Sequence, residues 1–216
     1  MSDLFGSVYR GQSGATGGGN SNDKRVVMLN TLGEQIIMDW LQKAVLDGSC
    51  YHVRAGTITT PAAGDIEITD TDAEMCADAV LGTTIIPVRA QWDIEALVGT
   101  IPNWTGKSVA VVSNAGTAFT PLNMRSDGSA AVSTARVQET GAVQVPAELA
   151  TTTRRHWDTL GTAIGGAELH RTLNLVPAPF LIGPRCFYIQ ISGVGTGPNY
   201  FASFEYVEYE TSVVDR

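Results

Sequence analysis

The run nearest to a known chemical device is Thr105-Gly106-Lys107-Ser108, which matches the end of a phosphate-binding loop. The full loop needs a glycine five residues before Gly106, where the chain has Ile101, together with a strand before it and a helix after. The run is therefore read as a turn entering a strand. Gly193, Gly195 and Gly197 miss the dinucleotide spacing, and they separate two strand-like runs rather than opening a helix. His52, His156 and His170 lack the i, i+2 or i, i+4 spacing of metal-binding pairs. His156 with Asp158 would need a serine nucleophile, and no Gly-x-Ser-x-Gly elbow offers one. Asp65, Glu67, Asp70, Asp72, Glu74 and Asp78 crowd one segment without the glycine-bearing loop that calcium requires, so a solvated acidic loop is expected. Cys50, Cys76 and Cys186 are odd in number and far apart, which predicts buried free thiols. These residues predict no catalytic group, no cofactor and no metal, hence a protein that is not an enzyme.

Two stretches suit contact rather than chemistry. Arg154-Arg155-His156-Trp157 is the one cationic cluster; it reads either as a grip on an acidic partner, with Trp157 as anchor, or as an exposed loop. Leu4, Phe5, Val8 and Tyr9 precede the Gly/Ser/Asn-rich run 11–22, which has no apolar face and is costly to order. That pattern is either a loose terminus or a tethered arm that docks its apolar residues on a neighbouring subunit.

The net charge of −8 opposes sequence-independent binding to phosphate backbones, so no nucleic-acid partner is expected. No apolar run approaches the ~20 residues of a membrane span, and the opening Met1-Ser2-Asp3-Leu4-Phe5 lacks a secretory pattern. The expectation is synthesis in a cytoplasm without membrane insertion. Charged residues are only 17% of the chain, which suits a turn-rich β protein or a surface that packs against other subunits.

The elements that must carry these residues are mostly strands. Residues 31–47 hold the one good helical period, with Thr31 and Glu34 as a capping box and Gly48 as a stop; the alternative is an extended segment crossing the domain, since Ile36, Ile37 and Trp40 also suit strands. Beyond them, 50–55, 84–97, 107–113, 130–137, 141–145 and 173–176 read as strands, with Val132 and Val137 buried and Pro87 marking an edge. Residues 185–210 form two aromatic period-two runs around a glycine-rich loop, which predicts an antiparallel closing hairpin. The apolar phase slips between Tyr206 and Val207, predicting a bulge or a strand buried on both faces. The expected organisation is a flexible arm over 1–25 and one β-sandwich over 26–216.

Ser7-Val8-Tyr9-Arg10-Gly11-Gln12, the run Gly33-Glu34-Gln35 leading to Gly48-Ser49-Cys50-Tyr51, and the stretch from Ile182-Gly183-Pro184 to Glu205 resemble virion structural proteins of tailed bacteriophages. The overall pattern looks like the jelly-roll proteins that decorate capsids or build tail appendages. The resemblance implies an all-β, jelly-roll-like antiparallel β-sandwich with an extended N-terminal arm and one short helix. It further implies a homotrimer on the virion capsid surface that cements the shell by bridging major capsid protein subunits. Partner contacts are expected at Leu4, Phe5, Val8, Tyr9, Arg154, Arg155 and Trp157. The other function considered is a tail-fibre or appendage tip domain that binds a host receptor or glycan, which would expose aromatic residues such as Trp104 or Tyr200 along a shallow groove.

Overall fold

The computed structural model describes residues 5–9, 24–28, 39–65, 72–95, 102–138, 143–144, 154–160, 169–193 and 198–214. In chain order the elements are β1 (Phe5–Tyr9), β2 (Lys24–Met28), α1 (Trp40–Leu46), β3 (Cys50–Ala55), β4 (Ala62–Ala63), β5 (Asp72–Ala73), β6 (Met75–Ala79), β7 (Thr83–Glu95), β8 (Pro102–Val109), β9 (Thr117–Phe119), β10 (Leu122–Asn123), β11 (Thr134–Val137), β12 (Val143–Gln144), β13 (Arg154–Leu160), β14 (Leu169–Asn174), β15 (Leu181–Ile182), β16 (Arg185–Gly193), β17 (Asn199–Glu210) and α2 (Thr211–Val214). Two compact units divide the chain, Met1–Lys43 and Ala44–Arg216. The expected boundary at residue 25 falls inside β2, which pairs antiparallel with β1 from Phe5↔Met28 to Tyr9↔Lys24. The N-terminal segment therefore contains a paired hairpin.

The larger unit is a sandwich of two antiparallel sheets. One has the order β10-β3-β17-β7-β14, with β15 against β7 and β4 against β17; the other is β13-β8-β16-β6-β11-β9. Taking the eight long strands in sequence, β3 pairs with β17, β6 with β16, β7 with β14 and β8 with β13. First pairs with last, second with second-last, and so inward. A long antiparallel ribbon folded over on itself gives this nesting, which is the jelly-roll order. The short strands β9, β10 and β11 lie between β8 and β13 in the chain and extend the two sheets at their margins, while β12 pairs with β5 in a separate two-stranded sheet.

Alternation along each strand builds the core. Val53 and Ala55 of β3, Ala90, Trp92 and Ile94 of β7, and Tyr200, Ala202, Phe204 and Tyr206 of β17 face Met75 and Ala77 of β6, Trp104 of β8, and Phe187, Ile189 and Ile191 of β16. Trp92 meets Trp104 across the sandwich with ring centroids 5.1 Å apart, and Phe187 meets Phe204 edge-on at 5.3 Å. Each such pair contributes roughly 0.5–1.5 kcal/mol beyond the area it buries.

The terminal half of the expected helix is present. Asp39 Oδ1 accepts the Leu41 N–H at 2.6 Å and so acts as the N-cap of α1. Gly48 ends it in the left-handed region at φ 72, with Gly48 N bonded to Val45 O. Thr31 and Glu34 lie outside the described residues.

The expected closing hairpin does not form. β16 and β17 belong to opposite sheets and pair with different neighbours. Two successive period-two runs look alike in sequence whether they pair or cross between sheets. Pro87 also lies in an interior strand rather than at an edge. It sits where the ladder with β17 shifts register, Glu205 opposite Arg89 and Tyr206 opposite Pro87, so Val88 is the extra residue. On the far side of β7, β15 stops at Ile85 and β14 begins at Arg89, so the missing proline N–H breaks no ladder. The phase slip at Tyr206 and Val207 falls where β17 itself keeps an unbroken register with β3, and Tyr206, Val207 and Glu208 are all buried, so the strand is covered on both faces there rather than bulged. Val137 is buried as expected, whereas Val132 precedes β11 and is exposed.

Candidate functional site

The outward face of the first sheet carries a shallow groove of about 470 Å³, lined among others by His52, Arg54, Asp93, His170, Phe201 and Glu205. Strand register arranges its side chains in rows. His52, Glu205 and Arg89 form one row; Arg54, Ser203, Gln91 and Thr172 the next; Phe201, Asp93 and His170 the third. Opposite charges facing each other across strands are the favourable arrangement. Arg89 Nη2 donates to Glu205 Oε1, and this bond holds the guanidinium above its ordinary value. Asp93 Oδ1 lies 2.6 Å from His170 Nδ1, and Gln91 Nε2 donates to Thr172 Oγ1 at 3.4 Å. Partial burial pushes His52 below the usual histidine range, and Arg54 beside it adds to the effect.

His170 Nε2 is also 3.3 Å from Thr172 Oγ1, which completes a carboxylate–imidazole–hydroxyl chain. Orientation resembles that of a nucleophile, its base and the group that orients the base. Acyl transfer also needs N–H donors aimed at a developing oxyanion and a site shielded from water. Here the chain lies on an open sheet face, and the His170 side chain is 62% exposed, so the site is not shielded from water. The arrangement suits recognition of hydroxyl and amide groups by a polar surface better than it suits catalysis.

The second sheet presents a different outward face. Cys76 and Asp78 of β6, Lys107 and Val109 of β8, and Cys186, Tyr188 and Gln190 of β16 point away from the core, yet all are buried. Asp78 accepts the Ser113 N–H at 2.8 Å and the Ser113 hydroxyl at 2.6 Å, with Thr134 Oγ1 at 3.4 Å. Burial, with Cys76 and Asp78 alongside, pushes the Cys186 thiol well up. Next to this sheet, the buried Glu74 carboxylate accepts the Ile191 N–H at 2.6 Å; burial raises it far above the carboxylate range, and nearby Asp65 adds to the shift. Glu208, on β17, accepts the N–H groups of Val132 and Ser133, each at 2.8 Å.

Several expectations change accordingly. Glu74 and Asp78 are each 1% exposed, so this part of the acidic segment is not solvated; Glu67 and Asp70 lie outside the described residues. Lys107 sits in the middle of β8, between β13 and β16, and no phosphate loop forms. All three cysteines are buried and unbridged, and burial takes Cys50 up to about 11. Trp104 and Tyr200, the aromatic candidates for a ligand platform, are core residues; Phe201 is the ring on the groove. Arg154, Arg155 and Trp157 are on β13, a strand at the margin of the second sheet, with a register shift between Arg155 and Trp157. Phe5, Val8 and Tyr9 are on β1. The side chains of these six lie outside the described part, as does the whole of Leu4. The groove itself was missed, because His52 and His170 meet only through strands distant in sequence.

No protein-family model, curated protein or solved structure matches the chain.

Proposed function

We propose that this chain is a non-enzymatic virion structural protein that decorates a phage capsid, cementing it as a homotrimer that bridges major capsid protein subunits. The observation that carries the reading is the jelly-roll strand order, a fold used repeatedly by viral capsid domains. A separate N-terminal unit that contains a paired hairpin supports it further. Leu4, Phe5, Val8 and Tyr9 serve as the docking residues of that unit, and Arg154, Arg155 and Trp157 offer a second contact along a sheet margin. A hairpin that is already paired loses less entropy on docking than a coil, so more of the apolar burial appears as affinity. The test is co-sedimentation of the full chain with undecorated capsids. Phe5→Ala with Tyr9→Ala should weaken binding by about tenfold or more, the usual effect of removing aromatic anchors. Unchanged capsid occupancy in that variant contradicts the bridging mechanism.

The polar groove favours a second reading, a tail-appendage tip domain that binds a receptor or glycan. Its rows of Arg54, Gln91, Asp93 and His170 beside the Phe201 ring match the hydroxyl-rich, part-apolar surface of a sugar. Binding on a glycan array that is lost in Phe201→Ala would establish it.

A further inference from the structure

We infer that Cys76, Asp78 and Cys186 form a zinc-binding site on the buried outward face of the second sheet. One donor atom from each residue, two Sγ and a carboxylate oxygen, lies within 4.8 Å of the other two. The strands fix this grouping. Cys76 and Asp78 are two apart on β6 and share a face, while the ladder sets Cys186 of β16 opposite Asp78 and Tyr188 opposite Cys76. Cys76 and Cys186 are therefore diagonal neighbours. Diagonal positions separate Cβ atoms by up to about 7 Å, more than the ~3.5–4.5 Å that a disulfide spans. A metal ion with thiolates at about 2.3 Å on either side suits the wider gap.

Donor chemistry selects the ion. Two sulfurs and one oxygen suit a borderline-soft, tetrahedral cation such as Zn²⁺, whereas calcium and magnesium require shells made of oxygen. Asp78 is already oriented by the Ser113 N–H and hydroxyl, as ligating carboxylates are by their outer partners. The fourth position is left to water, as in zinc sites with three protein ligands. In the metal-free chain burial keeps Cys186 a thiol. As zinc enters, both thiols lose their protons to solvent, and the dication offsets two of the three negative charges of its donors, leaving the site one charge negative. Such a site would staple β6 to β16 and to the segment 110–113. The inference stands independently of the capsid reading.

The test is a Co²⁺ titration of the purified full chain, followed by displacement with Zn²⁺. The expected result is a saturable thiolate-to-cobalt absorption at one equivalent, bleached by zinc, with a melting temperature that rises on zinc addition and falls with chelator. Cys76→Ser and Cys186→Ser should each weaken cobalt binding by more than about 100-fold, beyond the loss typical of outer-partner changes. Cys50→Ser should leave it intact, because that thiol lies elsewhere, 3.3 Å from Met124 Sδ. Absence of the absorption in the wild-type chain overturns the inference even if the serine variants do not fold. Metal uptake that persists in both Cys76→Ser and Cys186→Ser overturns it too.

Discussion

The two outward faces of the sandwich carry similar residue types and treat them in opposite ways. On the first sheet, His52, Arg54, Arg89, Asp93 and His170 line up in cross-strand rows open to water, where each charge has a neighbour and a share of solvent. On the second sheet, Asp78, Lys107, Gln190 and the two thiols are almost fully covered. A charge there cannot lean on water, so Asp78 takes N–H and hydroxyl donors from Ser113. The open face is suited to meeting other molecules, and the closed face to fixing the fold. Polarity in a strand therefore does not identify its solvent side in this molecule.

The largest effect is expected at Asp78. Asp78→Ala leaves the Ser113 N–H without its acceptor in a covered site and should destabilise the chain by about 2–4 kcal/mol, measured by urea unfolding. A cost near zero would mean that the closed face is not closed.

Glu74 sharpens the contrast through pH. Its folded value is raised, so between the ordinary value of 4.5 and that raised value the native state holds a proton that the unfolded chain has lost. The native state then binds more protons, and stability falls as pH rises through this window. Glu74→Gln keeps an acceptor for the Ile191 N–H and removes the titration. Its unfolding free energy should exceed that of the wild type at about pH 8 and lose that downward slope. Identical pH profiles would contradict a covered, protonated carboxyl.

The smallest effect belongs to the open face. Asp93→Asn weakens the pairing with His170 in a solvated setting and should change stability by about 0.5 kcal/mol or less. A loss of several kcal/mol in the same urea assay would show that this face is structural as well.

Local alternation made much of the fold legible. β3 has the limits the sequence suggests, and the long run of β7, Thr83–Glu95 against the expected 84–97, follows from its alternating residues. Which strand pairs with which was not legible: period two is the same for a hairpin and for two strands that cross between sheets, as β16 and β17 do. Pro87 signalled disruption correctly but could not say whether an edge or an interior bulge absorbs it. The candidate sites were hidden for the same reason. Cys76 meets Cys186, and His52 shares a groove with His170, only because the jelly roll brings the first half of the chain against the second. The acidic segment misled because composition describes six carboxylates alike, while a strand turns Asp78 into a covered pocket and a bend does the same to Glu74.

The copy number of this chain in purified virions tests the proposed shell role most directly. Quantitative mass spectrometry against the major capsid protein should return a fixed, near-stoichiometric ratio. A few copies confined to tail fractions, or absence from the particle, would contradict it.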